Sequence, residues 1–372
     1  MSKIYRPTWA EIDLKALKSN LSLLRNFVKK EVGIMAVVKA NAYGHGIIPV
    51  SKALMEEDVD YFGVATVDEA LKLRNAGIDT PVLVLGSVLE QEAEVAVKND
   101  ITLTLCNDYL LAILEKISIA YNVPAKVHVK IDTGMGRIGV WHEDAVEFIK
   151  KTHMSEYLDL EGVYTHFSAA GRDEMFTKLQ IESFTRVLET LEEEKIEIKI
   201  KHAANSIAII DWKDTHLSLV RTGIMVYGVY PKGDFHEAFR LNPVMSLKTK
   251  IVYLKNVPAG RSISYGRTYI TQKPTKIATI PIGYADGYGR ILSNKAEALV
   301  NGQQVKVVGV VTMDQTLLDV GEVEDVQVGD EVVLVGRQED QEIPIEKIAK
   351  LSGTIPYEIL ATVTDRVPRV YK

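Results

Sequence analysis

Read for the spacing of its apolar positions, the chain has two textures. From Gly33 to about Arg221, short runs rich in Val, Ile and Leu alternate with stretches whose apolar residues recur every three or four positions. The short runs are GIMAVVK (33–39), YFGVA (61–65), PVLVLG (81–86), ITLTL (101–105), AKVHVKI (125–131), LDLEGVYTH (158–166), IKIKH (198–202) and LSLVR (217–221). Each has the length of a strand, and the segments between them, such as 67–76, 109–121 and 174–194, have the period of amphipathic helices. Strands alternating with helices must pair in parallel, because each helix is the crossover that carries the chain back. Eight such units in this length predict an α/β fold, a closed (β/α)8 barrel of the TIM type. A further amphipathic helix, about 13–30, precedes the first strand.

After about residue 240 the helical period fades. The runs VMSLKTKIVYL, TKIATIPIG, QVKVVGVV and DEVVLVG are β-rich, and turn signals such as Asn301-Gly302 and Gly329-Asp330 separate them. The expectation is a barrel domain over 1–240, then a mostly-β C-terminal domain over 241–372 with one late helix near 344–351.

Composition narrows the function classes. Hydrophobic residues are 47% and charged residues 25%, enough apolar material for a large core and too much for disorder. A net charge of −6 with no extended basic cluster argues against a nucleic-acid partner. No apolar run reaches the length of a membrane span. The start, MSKIYRPTWAEIDL, lacks the apolar region of a signal peptide, and Cys106 is the only cysteine. A cytoplasmic protein without intrachain disulfides is the expectation. Cys106, in the alternating run ITLTLC, reads as a buried, inert thiol. The histidines show no metal-ligand spacing such as HExxH.

In a barrel, chemistry collects where strands end. Those ends carry Lys39, Leu85, Arg137, His166, Ser206 and Arg221. Phosphate sites in barrels commonly follow the seventh and eighth strands. Here the seventh leads into HAANS, with the Ser206 hydroxyl, and the eighth into RTGIM, with the Gly223 and Ile224 amides. Position alone therefore points to a phosphorylated ligand. Lys39 ends an apolar strand, where a lowered pKa suits Schiff-base formation; equally, such a lysine snorkels to solvent. Tyr43 beside it either binds phosphate or caps the loop.

Gly134, Gly136 and Gly139 form a GxGxxG after a strand, with Asp159 twenty residues beyond the last glycine. That is the dinucleotide-binding fingerprint. It follows the fifth strand of a continuing series, far from a first βαβ unit. Arg137 between the glycines is suited to a carboxylate or phenolate, so the dinucleotide reading is disfavoured.

AVVKANAYGHG resembles the pyridoxal 5'-phosphate–lysine signature of bacterial alanine racemases. IDTGMGRIG, THFSAAG, HAANS, RTGIMVYG, SYGRTY, IPIGYADGYGR, TMDQ and IPYEIL resemble that family's motifs in order, over essentially the whole chain. The resemblance implies that Lys39 carries pyridoxal 5'-phosphate as an aldimine and acts as one base, with Tyr265 as the second. Inversion needs both, since a proton leaves one face of Cα and another returns to the opposite face. It implies a homodimer with shared active sites, in which Tyr265 and Met313 come from the other subunit. Arg221 corresponds to the group at the pyridine nitrogen, supported by His202, with His166 against the cofactor ring. Arg137 corresponds to a contact with the phenolate and the substrate carboxylate, which the Met313 N–H also holds. Leu85 and Asn205 fall among the cofactor-binding positions, and Tyr43, Ser206, Gly223, Ile224 and Tyr357 among the phosphate contacts.

Tyr284, with Tyr265 and Tyr357, resembles a gate admitting only small substrates, with Arg290 farther out; without the family, Tyr284 and Tyr288 read as ordinary loop aromatics. Asp314 either orients the site or caps a turn. Lys130 matches a position carbamylated in some members, or is a plain lysine paired with an acid. Thr312 stands where some relatives have cysteine.

The implied function is interconversion of L- and D-alanine, supplying D-alanine for peptidoglycan. The rivals are a broad-specificity racemase, a decarboxylase, a non-catalytic pyridoxal-phosphate carrier and a Schiff-base aldolase. Arg221 argues against a decarboxylase, and the full β domain with Tyr265 and Met313-Asp314 against a carrier. The phosphate positions together with Arg221 make an aldolase less fitting.

Overall fold

The computed structural model describes residues 5–231 and 240–372, and these group into two compact units. Residues 1–4, and the 232–239 stretch before the expected boundary at 240/241, lie outside the described residues.

One unit comprises 17–42 and 47–241. Among its described residues, eight parallel strands follow the sequence order: Gly33–Val37, Tyr61–Val64, Val82–Val84, Thr102–Leu105, Ala125–Asp132, Leu158–Tyr164, Ile200–His202 and Leu219–Thr222. The eighth returns to the first, with Leu219 opposite Gly33 and Thr222 opposite Ala36. Between the seventh and eighth, Ser218 N–H donates to Lys201 O at 3.1 Å and Arg221 N–H to Ala204 O at 3.0 Å. The result is the nearly closed (β/α)8 barrel that the alternation predicts. Met35, Tyr61, Leu83, Tyr164 and Leu219 pack in its core, with Leu85 and Ile200 against them. The first, second and third strands, buried along nearly their whole length, read as continuous apolar runs, which is why they stood out in the sequence.

Three of the helices start where a side chain satisfies a first amide. Thr66 accepts from Glu69 N–H, Asn107 from Leu110 N–H and Asp173 from Phe176 N–H. They open Val67–Asn75, Asp108–Tyr121 and Glu174–Glu193, close to the predicted spans.

The other unit holds residues 5–16, 43–46 and 242–372. Its sheet draws on both ends of the chain. Thr8–Ile12, counted with 1–240 on sequence grounds, pairs antiparallel with Met245–Lys250 and parallel with Arg369–Tyr371. Thr8, Ala10 and Ile12 are buried and the residues between them are not, but a five-residue alternation is too short to stand out. Asn301 and Gly302, with φ of 48° and 68°, make the two-residue turn between Glu297–Val300 and Gln303–Val307. The predicted late helix is Ile345–Ser352. A second helix, Pro356–Thr362, follows it where none was expected; it opens on a proline, whose missing N–H has no partner at a helix start in any case.

Candidate active site

Arg221 leaves the eighth strand almost fully buried. Its guanidinium donates to Thr165 O at 2.8 Å, Ala203 O at 2.9 Å and His202 Nδ1 at 3.0 Å, and lies 3.3 Å from His166 Nδ1. Burial pushes its pKa down to about 10, against the opposing influence of Tyr164. His166 is held far below its ordinary value by burial, and then by the charges of Arg221, Lys130, Arg137 and Lys39. A neutral imidazole thus sits among four cationic side chains, an arrangement suited to a ligand with several negative charges.

Lys39 stands just past the first strand. Burial and the charge of Arg137 lower its pKa, and Glu69 opposes them. The chain then makes a left-handed turn. Ala40, Asn41, Ala42 and Tyr43 have φ of 52°, 54°, 54° and 51°. Left-handed backbone costs L-residues about 1–2 kcal/mol each, so four in a row must be held by their surroundings. Ala42 N–H donates to Val38 O at 2.8 Å, and Ile47 N–H to the Asn41 side chain at 2.8 Å. Gly44 and Gly46 complete the motif because nothing larger fits. A Cβ would lie 2.2 Å from Leu360 O at the first and 2.0 Å from Tyr371 Oη at the second.

Lys130, on the fifth strand, is 2% exposed. Its amine is lowered to about 8 by burial, Arg137 and Arg221, with Asp132 and Cys106 opposing. The glycine motif after that strand is no phosphate cradle. The amides of Gly134, Met135 and Gly136 donate to the Asp132 carboxylate at 2.8–3.1 Å, so the chain's own anion occupies the place a pyrophosphate would need. The loop so fixed presents an exposed Arg137. Cys106 is half-buried, not buried as its alternating run suggested; the strand ends at Leu105, and Cys106 begins the loop to the Asn107 cap, 3.7 Å from Ser87 Oγ.

At the seventh and eighth strand ends, Ser206 Oγ accepts from Gly223 N–H at 3.0 Å. The Ile224 N–H has no partner among the described residues, although Ile224 is fully buried. The Asn205 amide is committed to backbone: it accepts from Ile207 and Ala208 N–H and donates to Phe167 O. Leu85 packs on the core, its N–H on Val64 O.

The β unit carries the remaining residues. The rings of Tyr43 and Tyr357 are 6.0 Å apart, and burial raises both phenols, Tyr357 to about 12. Tyr265 is 71% exposed in a tight turn whose neighbours Ser264 and Gly266 have φ of 61° and 69°. The Tyr284 and Met313 segments are bonded together: Tyr284 N–H donates to Thr312 O at 3.0 Å and Ala285 N–H to Met313 O at 3.1 Å. Buried Asp286 anchors that turn, gripped by Arg6 through two bonds of 2.6 and 2.7 Å. Asp314 pairs with Arg366 at 2.7 Å, and Thr312 Oγ1 donates to Gln315 O. The Met313 N–H has no partner among the described residues. Tyr284 and Arg290 are exposed, whereas Tyr288 is buried in the unit's core.

The family model of the alanine racemase N-terminal domain matches residues 12–231, and that of the C-terminal domain residues 244–371. This chain belongs to the alanine racemase family. It is 48% identical over 371 residues to the alanine racemase of Halothermothrix orenii, covering 100% of this chain and 98% of that one. The solved alanine racemase of Clostridium difficile 630 superposes with a TM-score of 0.95 at 42% identity, covering 100% of this chain and 97% of the other. A complex of that enzyme with cycloserine gives 0.93 at 41%, covering 99% and 96%. The family is one of isomerases, which accords with a site rich in cations and proton-transfer groups.

Reading alanine racemase motifs alone passes over two polar residues inside the barrel, His128 and Glu161. A signal for the first was present. In AKVHVKID the residues Lys126, His128, Lys130 and Asp132 share one face of the fifth strand, and His128, Lys130 and Asp132 are buried.

Proposed function

We propose that this isomerase interconverts L- and D-alanine with pyridoxal 5'-phosphate held by Lys39, as a homodimer whose active sites combine residues of both subunits. The observation that carries the reading is the buried Arg221 guanidinium, bonded to His202 Nδ1 at 3.0 Å and 3.3 Å from His166 Nδ1, beside the buried Lys130. The residues fit the cofactor. The buried Ile224 amide is free for a phosphate oxygen beside Ser206, and Arg137 suits the phenolate. Asn205 serves by fixing the start of the Ser206 helix, and Leu85 by packing. Tyr43 and Tyr357 are assigned to the phosphate on the family resemblance.

Bound there, pyridoxal 5'-phosphate makes the Cα–H of an attached amino acid acidic by taking up the electron pair that the proton leaves behind. Lys39, with its lowered pKa, takes or returns the proton at Nζ on one face. Tyr265 of a second copy does so at Oη on the other, and its exposure leaves it available for that role. Arg221 has no lone pair and cannot receive a proton, so it would offer only an N–H to the cofactor's ring nitrogen. His166 would lie along the cofactor ring, and His202 accepts from Arg221. Arg137, with the Met313 N–H of the second copy, holds the substrate carboxylate, and Tyr284 limits the size of the side chain, with Arg290 farther out. Lys130, lowered to about 8, is set to add to CO2 through its nitrogen, releasing a proton and giving a carbamate that meets Arg137. The reading places the enzyme in the cytoplasm, supplying D-alanine to cell-wall peptidoglycan.

Proton exchange at Cα of L-alanine in deuterated water, followed by NMR, tests the activity; visible absorbance of the purified protein tests the cofactor. Exchange with appearance of D-alanine is expected. Absorbance without exchange would return the reading to a carrier. Mixing the inactive variants Lys39→Ala and Tyr265→Ala restores activity if sites are shared, since one hybrid site then holds both bases.

A further inference from the structure

We propose that His128 is a positioning residue for Arg221, joined to it through His202 in a column of two hydrogen bonds that point the same way, with the Glu161 carboxylate facing its far nitrogen. The inference rests on the role given above to Arg221. A guanidinium only donates, so His202 Nδ1, 3.0 Å from it, must accept. Burial and the Arg221 charge hold both His202 and His128 far below their ordinary pKa, so each ring is neutral and carries a single hydrogen. In His202 that hydrogen is therefore on Nε2, and it donates to His128 Nδ1 at 2.9 Å. The hydrogen of His128 is then on its own Nε2, facing the Glu161 carboxylate at 3.8 Å. Glu161 in turn accepts from Thr102 Oγ1 at 2.9 Å and Tyr61 Oη at 3.4 Å.

The column is built, not incidental. Tyr164 stacks on His202 at 4.6 Å and 12°, and His128 meets His202 edge-on at 5.1 Å and 71°. Gly162, opposite His128 on the sixth strand, leaves room for the ring; a Cβ there would lie 2.9 Å from His128 Nδ1 and 2.7 Å from Ile200 O. The hydrogen of His128 has no hydrogen-bond partner within reach and only the carboxylate to face. Were His128 to carry its hydrogen on Nδ1, it would meet the His202 N–H head-on. Were His202 to yield by moving its hydrogen to Nδ1, it would oppose Arg221. Arg221, which only donates, therefore sets the direction of both links down to His128, and His128 in turn holds the His202 ring in the orientation that accepts from the guanidinium.

Neutron diffraction from deuterium-exchanged crystals of the holoenzyme reads the column directly. Deuterium on Nε2 of both His202 and His128, and on neither Nδ1, is expected. Deuterium on either Nδ1, or on both nitrogens of either ring, overturns the proposal. Kinetics supply the second arm. His128→Leu removes the acceptor for His202 and should lower kcat about fivefold, the weight of one net hydrogen bond, while KM for alanine stays within about twofold. His128→Asn puts an oxygen near the Nδ1 position and should recover most of the loss. Equal kcat in both variants and wild type, or a loss confined to KM, refutes the positioning role. Should H128L fail to fold, the neutron map of the wild type decides alone. The map requires no turnover, so failure of the column and failure of the racemase reading are told apart.

Discussion

Replacing Asp132 by alanine tests how the Arg137 loop is held. The carboxylate accepts from the amides of Gly134, Met135 and Gly136, with bonds of 2.8–3.1 Å. Bonds to an ionised acceptor are worth about 1.5–3 kcal/mol each in net terms. The sum is not reached, because Gly136 is exposed and water takes over its amide in the variant. A loss of about 2–4 kcal/mol in folding stability is therefore expected, read from urea unfolding of the holoenzyme. Arg137 leaves its fixed position with the loop. If it grips the substrate carboxylate, KM for alanine rises about tenfold, equivalent to about 1.4 kcal/mol of binding, while kcat falls less. Asp132→Asn keeps one acceptor oxygen and should lie between. A variant within about 0.5 kcal/mol of wild type with unchanged KM would show that the loop holds its shape without the carboxylate, and the reasoning would fail.

Gly44→Ala should destabilise by about 3 kcal/mol or prevent folding, since φ is +81° and the new Cβ would lie 2.2 Å from Leu360 O. Gly353→Ala, at φ +69° with nothing within 4 Å, is the control and should cost only about 1 kcal/mol; equal melting temperatures would refute the clash. Lys130→Met tests the buried amine. Its folded pKa of about 8 lies below the ordinary 10.5, so between those values the unfolded chain binds more protons and stability rises with pH. Below about pH 8 the wild type bears the whole penalty, and there, in CO2-free buffer, the variant should be the more stable. Its advantage should shrink above that pH, and bicarbonate should erase it if a carbamate forms. Urea unfolding on both sides of pH 8 checks the sign.

The barrel was legible because most of its strands are buried along their length and the helices between them have one wet side. Nothing comparable marks Thr8–Ile12, which joins a sheet whose other strands lie more than two hundred residues away. Nor does IPYEIL, with one helical turn's worth of pattern, announce Pro356–Thr362. Within the site, the glycines of AYGHG were legible as a motif, but their reason lies in contacts with Leu360 and Tyr371 at the far end of the chain. The left-handed turn was invisible for the same reason: of Ala40, Asn41, Ala42 and Tyr43, only asparagine takes that backbone readily. Local propensity cannot report a conformation that tertiary contacts impose.

The same distinction explains the charge pattern. Lys39, Lys130, Arg137 and Arg221 all act on His166 with one sign. Glu69 and Asp132 oppose them in part, yet each carboxylate already accepts backbone amides. A chain selected for stability alone would have paired the buried two, Lys130 and Arg221, or moved them to solvent, because buried like charges oppose folding. Under the proposed function the compensating anion would come with the cofactor, whose binding would then add to stability by mass action. The histidines fit that logic. Protonated, His166 and His202 would add two further charges to the cluster; neutral, they transmit direction through hydrogen bonds without adding charge. The site is therefore arranged to receive an anionic partner, and the donor-only Arg221 orients the buried histidines behind it.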